Sequence, residues 1–445
     1  MKKFVCAILI IFMMLTLTSC DMLNDIMMSI ETEVAENNVD DNIVEDALST
    51  DESKNLDANK PAEEDPDDSY DEPQPEETFS EKQTETMRPD DQNNSDVFEH
   101  DCEIMGHRIA WIIDGYADQN ETGRAHGACR ECGYESEKLL AASQTLKYES
   151  NGDGTCSVIG YKDDGKDEIV VPLTYNGERV TVIRSAAFES LREIKEIFLP
   201  KGLEEIGSSA FSWCETMTFV NIPDSVRSIG ESAFWYCFEI TELSIPDKIE
   251  YIGASAFGCT GITSLEVSEA NPNYHVDGNC LIETNSKTLI AGFGDSVIPS
   301  DESVEYIGNG AFAGCEELTE ITIPKSVKSI GPHAFYCCGN MTSITFEEGL
   351  EIIEYNAFNA CHSLTKLVLP KSLNKLADSA FTWCSGIEEI YLSKGIAGIG
   401  SGAFNQCSSL NTIYYEGSAS EWRTVIKGTD WDSNAGDYII EYNYS

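Results

Sequence analysis

The sequence predicts a solenoid of short, stacked, parallel strands, from the period of one dipeptide and the apolar pattern within each period. Ala-Phe recurs nine times, with its phenylalanine at 188, 211, 234, 257, 312, 335, 358, 381 and 404. The step is 23 residues except between Phe257 and Phe312. A unit this short cannot bury its own apolar residues, so neighbouring units must stack to complete a core.

The apolar pattern inside one unit indicates a half-buried strand followed by a turn. After Phe312, Ile321 and Ile323 alternate with polar residues, as expected of a strand with one buried face. Pro324 has no N–H for a strand ladder and therefore ends the strand. Gly331 supplies the turn before the next Ala-Phe. We expect a mainly β solenoid with short turns or helical corners.

The repeat phrase resembles a known family. Ala-Phe-x-x-Cys-x-x-Leu-x-x-Ile-x-Ile-Pro, as it stands from Ala311 to Pro324, is similar to the BspA-like leucine-rich repeats of bacterial surface proteins. The resemblance covers about residues 148–445. It implies a cell-surface protein that binds an extracellular protein or glycan. It also implies four segments: a lead-in hairpin at 148–187, nine repeats at 188–413, a hairpin insertion within the repeats at 268–299 and a C-terminal cap at 414–445.

The first twenty residues are typical of an export signal. Two lysines precede an apolar run over residues 4–17, which is too short for an ordinary membrane span. The run ends in Leu17-Thr18-Ser19-Cys20, which resembles the lipobox of bacterial lipoproteins. The resemblance implies that residues 1–20 carry the signal and that Cys20 receives the lipid. A plain secretory signal with a chance cysteine is the alternative.

Residues 21–99 have the composition of a disordered, acidic tether. Residues 21–100 contain 27 acidic and 4 basic side chains, a net charge of −23, and almost no aromatic residues. The whole chain carries −49. Such a charge repels nucleic acid and anionic lipid headgroups, so we expect no nucleic-acid partner and membrane attachment through the lipid alone.

Residues 100–140 form a small segment rich in cysteine and histidine. Cys102, His107, Cys129 and Cys132 resemble the ligands of zinc-ribbon-like modules in secreted bacterial repeat proteins, where a CxxCG sequence closes the site. The resemblance implies a structural zinc at these four residues. A disulfide-linked knot or a disordered patch is the alternative.

The repeat cysteines recur at one position and are expected to be core residues. Each stands three residues after the repeat phenylalanine, except Cys259 at two, and Leu191 fills the position in the first repeat. Disulfides between neighbouring repeats or a metal column are the alternatives to a buried ladder of thiols. The members at the third position are Cys214, Cys237, Cys315, Cys338, Cys361, Cys384 and Cys407.

Two sets of side chains are candidates for ligand contact. One set comprises the outward strand positions, eight and ten residues after each phenylalanine, including Glu196, Phe198, Phe219, Asn221, Glu242, Ser244, Glu320, Thr322, Glu389, Tyr391, Thr412 and Tyr414. The other is an aromatic row just after the phenylalanines: Trp213, Trp235, Tyr236, Tyr336 and Trp383. Exposed aromatic rings are typical anchors for protein or glycan ligands. The alternative is that these rings pack over neighbouring turns and seal the edge.

The sequence does not indicate an enzyme. It contains neither HExxH nor GxSxG, and its histidines fall at unrelated repeat positions. The function expected is adhesion or ligand binding by a lipid-anchored repeat protein outside the bacterial cytoplasm. A structural envelope scaffold and a glycan-capture module are the alternatives.

Overall fold

The structure, a computed structural model, describes residues 109–129 and 133–444. The predicted signal, the tether and Cys20 lie outside the described residues. The described chain begins with an antiparallel sheet of β1 (Ile109–Gly115), β2 (Gly123–Cys129) and β3 (Glu135–Leu140), here called the N-terminal module. The one helix among the described residues, α1 (Ala419–Trp422), is four residues long. No helix in this part of the chain is long and apolar enough to cross a bilayer.

The strands that carry the Ile-x-Ile pattern form one side of the solenoid, here called the front sheet. Neighbouring strands pair in parallel, and Ile321 is aligned with Ile344 of the next repeat. The strands are β6 (Glu168–Val170), β9 (Glu196–Phe198), β11 (Phe219–Val220), β13 (Glu242–Ile245), β15 (Ser264–Val267), β20 (Glu320–Ile323), β22 (Ser343–Phe346), β24 (Lys366–Val368), β26 (Glu389–Leu392), β28 (Thr412–Tyr415) and β30 (Ile439–Tyr442).

The opposite side, the back sheet, consists mostly of two-residue strands. It starts with an antiparallel pair in which Leu146 lies opposite Tyr161. The strands are β4 (Leu146–Ser150), β5 (Thr155–Tyr161), β7 (Thr174–Tyr175), β8 (Glu178–Ile183), β10 (Glu205–Ile206), β12 (Ser228–Ile229), β14 (Tyr251–Ile252), β16 (Tyr274–Asp277), β17 (Cys280–Glu283), β18 (Thr288–Gly292), β19 (Tyr306–Ile307), β21 (Ser329–Ile330), β23 (Ile352–Ile353), β25 (Lys375–Leu376), β27 (Gly398–Ile399) and β29 (Ile426–Lys427).

The core lies between the two sheets, as the alternating pattern predicts. In β20, Ile321 and Ile323 are buried while Glu320 and Thr322 are exposed. The predicted solenoid of stacked parallel strands is therefore confirmed. The strands are short because each repeat turns three times within 23 residues, which leaves two to four residues for each strand.

Ala-Phe lies at the third side of each repeat, in a hydrogen-bonded turn here called the Ala-Phe corner. The Phe211 N–H donates to the Ala233 carbonyl of the next repeat at 2.8 Å, and Phe358 donates to Ala380 at 2.8 Å. Because these N–H groups bond to a neighbouring repeat, they are not available for an α-helix. The corners are turns, and the helical form of corner is not seen in the described repeats.

Buried phenylalanine rings form a continuous spine on each side of the insertion. Successive ring centroids are 4.8–5.8 Å apart, and the ring planes differ by at most 17°. The phenylalanine ring of each repeat therefore stacks on the ring of the preceding repeat. The fixed period follows, because one insertion or deletion would displace a ring from the spine.

The irregular segment after Phe257 enters the back sheet as a hairpin. Strands β16 and β17 pair antiparallel, β17 pairs antiparallel with β18, and β18 returns to parallel pairing with β19. The Tyr274 hydroxyl accepts the Ile252 N–H at 2.9 Å and so covers the edge of β14. The corners on either side still meet directly, since the Ser255 N–H donates to the Asn309 carbonyl at 3.0 Å.

The N-terminal module packs on the outward side of the front sheet. Phe198 was expected to face solvent, but it is only 2% exposed because the module covers it, and that prediction is wrong. The Trp111 indole N–H donates to Glu196 at 2.7 Å, and Lys138 bridges Glu196 and Glu168, the latter at 2.8 Å. Burial opposes the charge on Lys138, but these two carboxylates outweigh burial and raise its pKa. An apolar contact and an ion-pair network therefore hold the module in place.

A second contact ties the module to the lead-in segment. The Leu173 N–H donates to the Ala117 carbonyl at 2.9 Å. The Thr174 hydroxyl donates to Asp118 at 2.6 Å, which lowers the pKa of that carboxyl. Together with the Trp111 and Lys138 contacts, these bonds fix the module over the first two repeats.

Candidate ligand-binding surface

The outward side of the front sheet presents a polar, exposed face beyond the module. Strand alternation directs one residue in two to this side. Ser244, Glu266, Thr322, Ser343 and Thr345 are all exposed. Their side chains are short or charged, and the face is flat and hydrophilic through the middle of the solenoid. Hydrogen bonding to a polar ligand suits this region better than apolar contact.

The same face ends in an aromatic cluster near the C-terminus, here called the tyrosine patch: Lys366, Glu389, Tyr391, Tyr414 and Tyr444. Tyr391 and Tyr414 stack at 4.4 Å, and Tyr444 meets both rings edge-on at 5.6 and 6.0 Å. Lys366 lies 4.4 Å above the Tyr391 ring, and the Tyr391 hydroxyl donates to Glu389 at 3.0 Å. The hydrogen bond with Tyr391 raises the pKa of Lys366, so the patch keeps a cation beside its rings at neutral pH.

The repeat period locates most of the tyrosine patch. Tyr391 and Tyr414 stand ten residues after their repeat phenylalanines, and Lys366 stands eight after Phe358. Tyr444 lies beyond the last repeat, where no period applies. Its position depends on the pairing of β30 with β28, which the sequence pattern does not indicate.

The predicted aromatic row divides into buried and half-buried rings. Tyr236 is 1% exposed and Tyr336 is 7% exposed, so the expectation that these two are exposed anchors is wrong. Tyr236 is covered because Trp213 stacks on it at 4.1 Å and Trp235 meets it edge-on at 5.5 Å. Trp213, Trp235 and Trp383 are half-buried, and ligand contact by them stays a prediction.

The cysteines at the third position after each phenylalanine are buried, as predicted, and are free thiols. Six of the seven thiols lie within hydrogen-bonding distance of the backbone of the preceding repeat, and Cys315 lies 3.3 Å from the Gly292 carbonyl oxygen in the hairpin insertion. The Cys338 Sγ lies 3.1 Å from the Phe312 carbonyl oxygen, and the Cys384 Sγ lies 3.0 Å from that of Phe358. Burial raises the pKa of Cys214 to about 12. Cys214 therefore stays protonated at neutral pH, and the buried thiols of the column serve as small donors within the core rather than as nucleophiles.

Only Cys129 of the four predicted zinc ligands is within the described residues, since Cys102, His107 and Cys132 lie outside them. Cys129 is buried at the end of β2, and its carbonyl accepts the Gly133 N–H at 2.7 Å. His126, another histidine of this segment, pairs with Asp114 at 2.8 Å. The described residues contain no group of three side chains arranged to hold a metal, and the zinc site stays a prediction.

Comparison with known proteins decides the family. The model of the BspA type leucine rich repeat region matches residues 181–301 and 305–425 in six copies, together more than half of the chain. The chain belongs to the BspA-type leucine-rich repeat family. The two matched ranges of BspA-type repeats flank residues 302–304, after the hairpin insertion, and they stop inside the C-terminal cap.

Solved structures of several other bacterial proteins are similar to this chain. The pneumococcal vaccine antigen PcpA is 18% identical, with a TM-score of 0.53, over 74% of this chain and 98% of that one. A leucine rich cell surface protein from Faecalibacterium prausnitzii is 22% identical, with a TM-score of 0.43, over 64% and 97%. A leucine-rich repeat protein from Eubacterium ventriosum is 19% identical, with a TM-score of 0.45, over 68% and 94%. No curated protein matches the chain. BspA-type repeat proteins are generally bacterial surface proteins.

Proposed function

We propose that this protein is a lipid-anchored adhesin or ligand-binding protein of the bacterial cell surface, and not an enzyme. The observation that carries the proposal is the exposed outward face of the front sheet, which runs from Ser244 past Thr345 and ends in the tyrosine patch. Repeat solenoids bind extended ligands through variable outward positions of this kind. The ligand would be an extracellular protein or a glycan.

The tyrosine patch is proposed as the main anchor of that ligand. Its stacked rings are fixed by neighbouring side chains, so little conformational entropy is lost on binding. The edges of the rings, their hydroxyl groups and Lys366 offer both apolar contact and hydrogen bonds, as protein and glycan recognition require.

A binding array tests the anchor. The purified chain is applied to immobilised glycans and extracellular-matrix proteins, and saturable binding to at least one ligand is expected. Tyr391→Ala with Tyr414→Ala should weaken that binding at least tenfold. Tyr251→Ala, which removes a 54% exposed tyrosine from the back sheet, is the control and should bind normally. If neither ligand class binds saturably, the adhesin proposal fails and an envelope scaffold is favoured.

The anchor and the tether are proposed to hold the repeats away from the membrane. Lipid on Cys20 would attach the chain, and the acidic residues 21–99 would extend by self-repulsion. Protease treatment of intact cells should release the repeats, and Cys20→Ser should move the protein from the membrane fraction to the medium or periplasm. Retention of the Cys20→Ser protein in the membrane would contradict the lipid anchor.

The N-terminal module is proposed to hold a structural zinc through Cys102, His107, Cys129 and Cys132. The features that support this are the hydrogen bond from the Gly133 N–H to the Cys129 carbonyl, which closes a turn with these two residues as its ends, and the positive φ of Gly133. A CxxCG zinc site needs such a turn, and zinc would supply the stability that a module of this size lacks. One zinc per reduced chain is expected by metal analysis, and none in Cys129→Ser; a metal-free wild-type chain would contradict the site.

A further inference from the structure

A groove separates the edge of the N-terminal module from the outward face of the front sheet. Its volume is about 290 Å³. The floor consists of β11, β13 and β15, and one wall is β1. The groove exists because the module covers the first two repeats and stops there, where Ser244 and Glu266 of the next repeats are exposed.

The wall is the edge strand of the module. β1 pairs with β2 on one side only, and no other strand among the described residues pairs with it. Ile109, Ala110 and Trp111 at the start of β1 line the groove. The unpaired edge of a strand is a template for another extended chain, because it offers a row of backbone donors and acceptors.

The floor selects the chemistry of the occupant. Phe219 and Ile222 supply apolar surface, and Glu242 and Glu266 supply the only ionisable side chains among the described residues that line the groove. Both are acidic. The chain's own tether carries a net charge of −23 over residues 21–100 and would be repelled. A second copy of this chain, at −49, would also be repelled.

We propose that this groove binds an extended, basic peptide segment of a partner protein, as an added strand beside β1. The segment's backbone would pair with β1, its apolar side chains would contact Phe219, and a lysine or arginine side chain would meet the exposed carboxylate of Glu266. The inference deepens the proposed function by naming a partner class and a second site, and it depends on that function only in placing the repeats among extracellular proteins.

The experiment uses the full chain and two synthetic probes. A fluorescent, end-capped octapeptide of alternating lysine and valine should bind saturably, with affinity that falls as salt rises. The same peptide N-methylated at every second residue cannot donate those backbone hydrogen bonds, and it should bind at least tenfold more weakly. Equal binding of the two peptides would overturn strand addition.

Variants locate the site. Glu266→Gln should weaken binding of the unmodified peptide at least threefold. Glu320→Gln removes an exposed carboxylate from the same face outside the groove, and it should leave affinity unchanged. An equal loss with Glu320→Gln would show general charge attraction and overturn the groove. The tyrosine-patch variants should bind the peptide normally. Absence of peptide binding would therefore overturn the groove without affecting the glycan and matrix test, and absence of glycan and matrix binding would not affect the groove.

Discussion

The repeat cysteines act as buried packing residues rather than as reactive thiols. Burial raises the pKa of Cys214 to about 12, whereas an unfolded thiol titrates near pH 8.5. Because all seven free column thiols are buried, iodoacetamide at pH 8 should leave them unmodified in the folded chain and label all of them in guanidinium chloride, read peptide by peptide by mass spectrometry. Rapid labelling of these seven thiols in the folded chain would contradict a buried column.

The same shift gives an alkaline limit to stability. Because the pKa of Cys214 is raised in the folded state, its contribution to the free energy of unfolding is fully present below about pH 8.5. That contribution is lost as the pH rises toward about 12. Between pH 9 and pH 12, the thermal unfolding midpoint of the wild type should fall more steeply than that of Cys214→Ala. Parallel pH profiles for the two proteins would show that the thiol is not buried as a neutral group.

At the scale of single residues, sequence reasoning succeeds where a position repeats. The period alone gave the burial of the cysteine column and the location of Tyr391 and Tyr414 on the front face. It could not give the burial of Tyr236, because that depends on Trp213 in the neighbouring repeat, and it could not give the burial of Phe198, because a separate module covers it.

The Ala-Phe corner is the element that fixes the backbone of every repeat. The residues two before and two after each phenylalanine adopt positive φ, as Ser379 (56°) and Trp383 (63°) do around Phe381. Most of these positions are not glycine, so every corner except that of Phe312, which has Gly310 and Gly314, includes backbone strain that packing against its neighbours compensates. The sequence did not indicate this conformation, because serine, alanine and tryptophan are not residues that usually predict it.

Two glycines test the cost of that conformation. Gly402 has φ of 62° and room for a methyl group, with its nearest neighbours at 3.4–3.9 Å, so Gly402→Ala should destabilise the fold by about 1 kcal/mol through backbone strain alone. Gly398 lies in β27 in an ordinary conformation with open space around it, and Gly398→Ala should be neutral or slightly stabilising. Chemical denaturation measures both, and equal effects would contradict strain as the cause.

At the scale of the molecule, the hairpin insertion divides one solenoid into two cores. Buried residues from Leu146 to Phe293 form one apolar cluster, and those from Cys280 to Val425 form another. The back sheet breaks between β14 and β16, and at the same place the front sheet has one of its three breaks, between β15 and β20. Across the break the corners are joined by backbone hydrogen bonds, such as that from Ser255 to Asn309. Sequence spacing predicts the insertion but not this division, since the division depends on which strands the hairpin pairs with.

The two cores should therefore unfold as separate cooperative units, because a repeat array is stabilised mainly by contacts between neighbours and the buried apolar cluster is interrupted at the insertion. Phe211→Ala and Phe358→Ala each remove a fully buried ring of the spine, at a cost of about 3–5 kcal/mol. Hydrogen exchange followed by mass spectrometry should show lost protection in residues 146–293 for the first variant and in residues 280–425 for the second. Phe238→Ala, at a 36% exposed ring, is the control and should change little in either unit. If each spine variant lowers protection equally in both halves, the corner hydrogen bonds couple the cores into one cooperative unit and the insertion does not divide them.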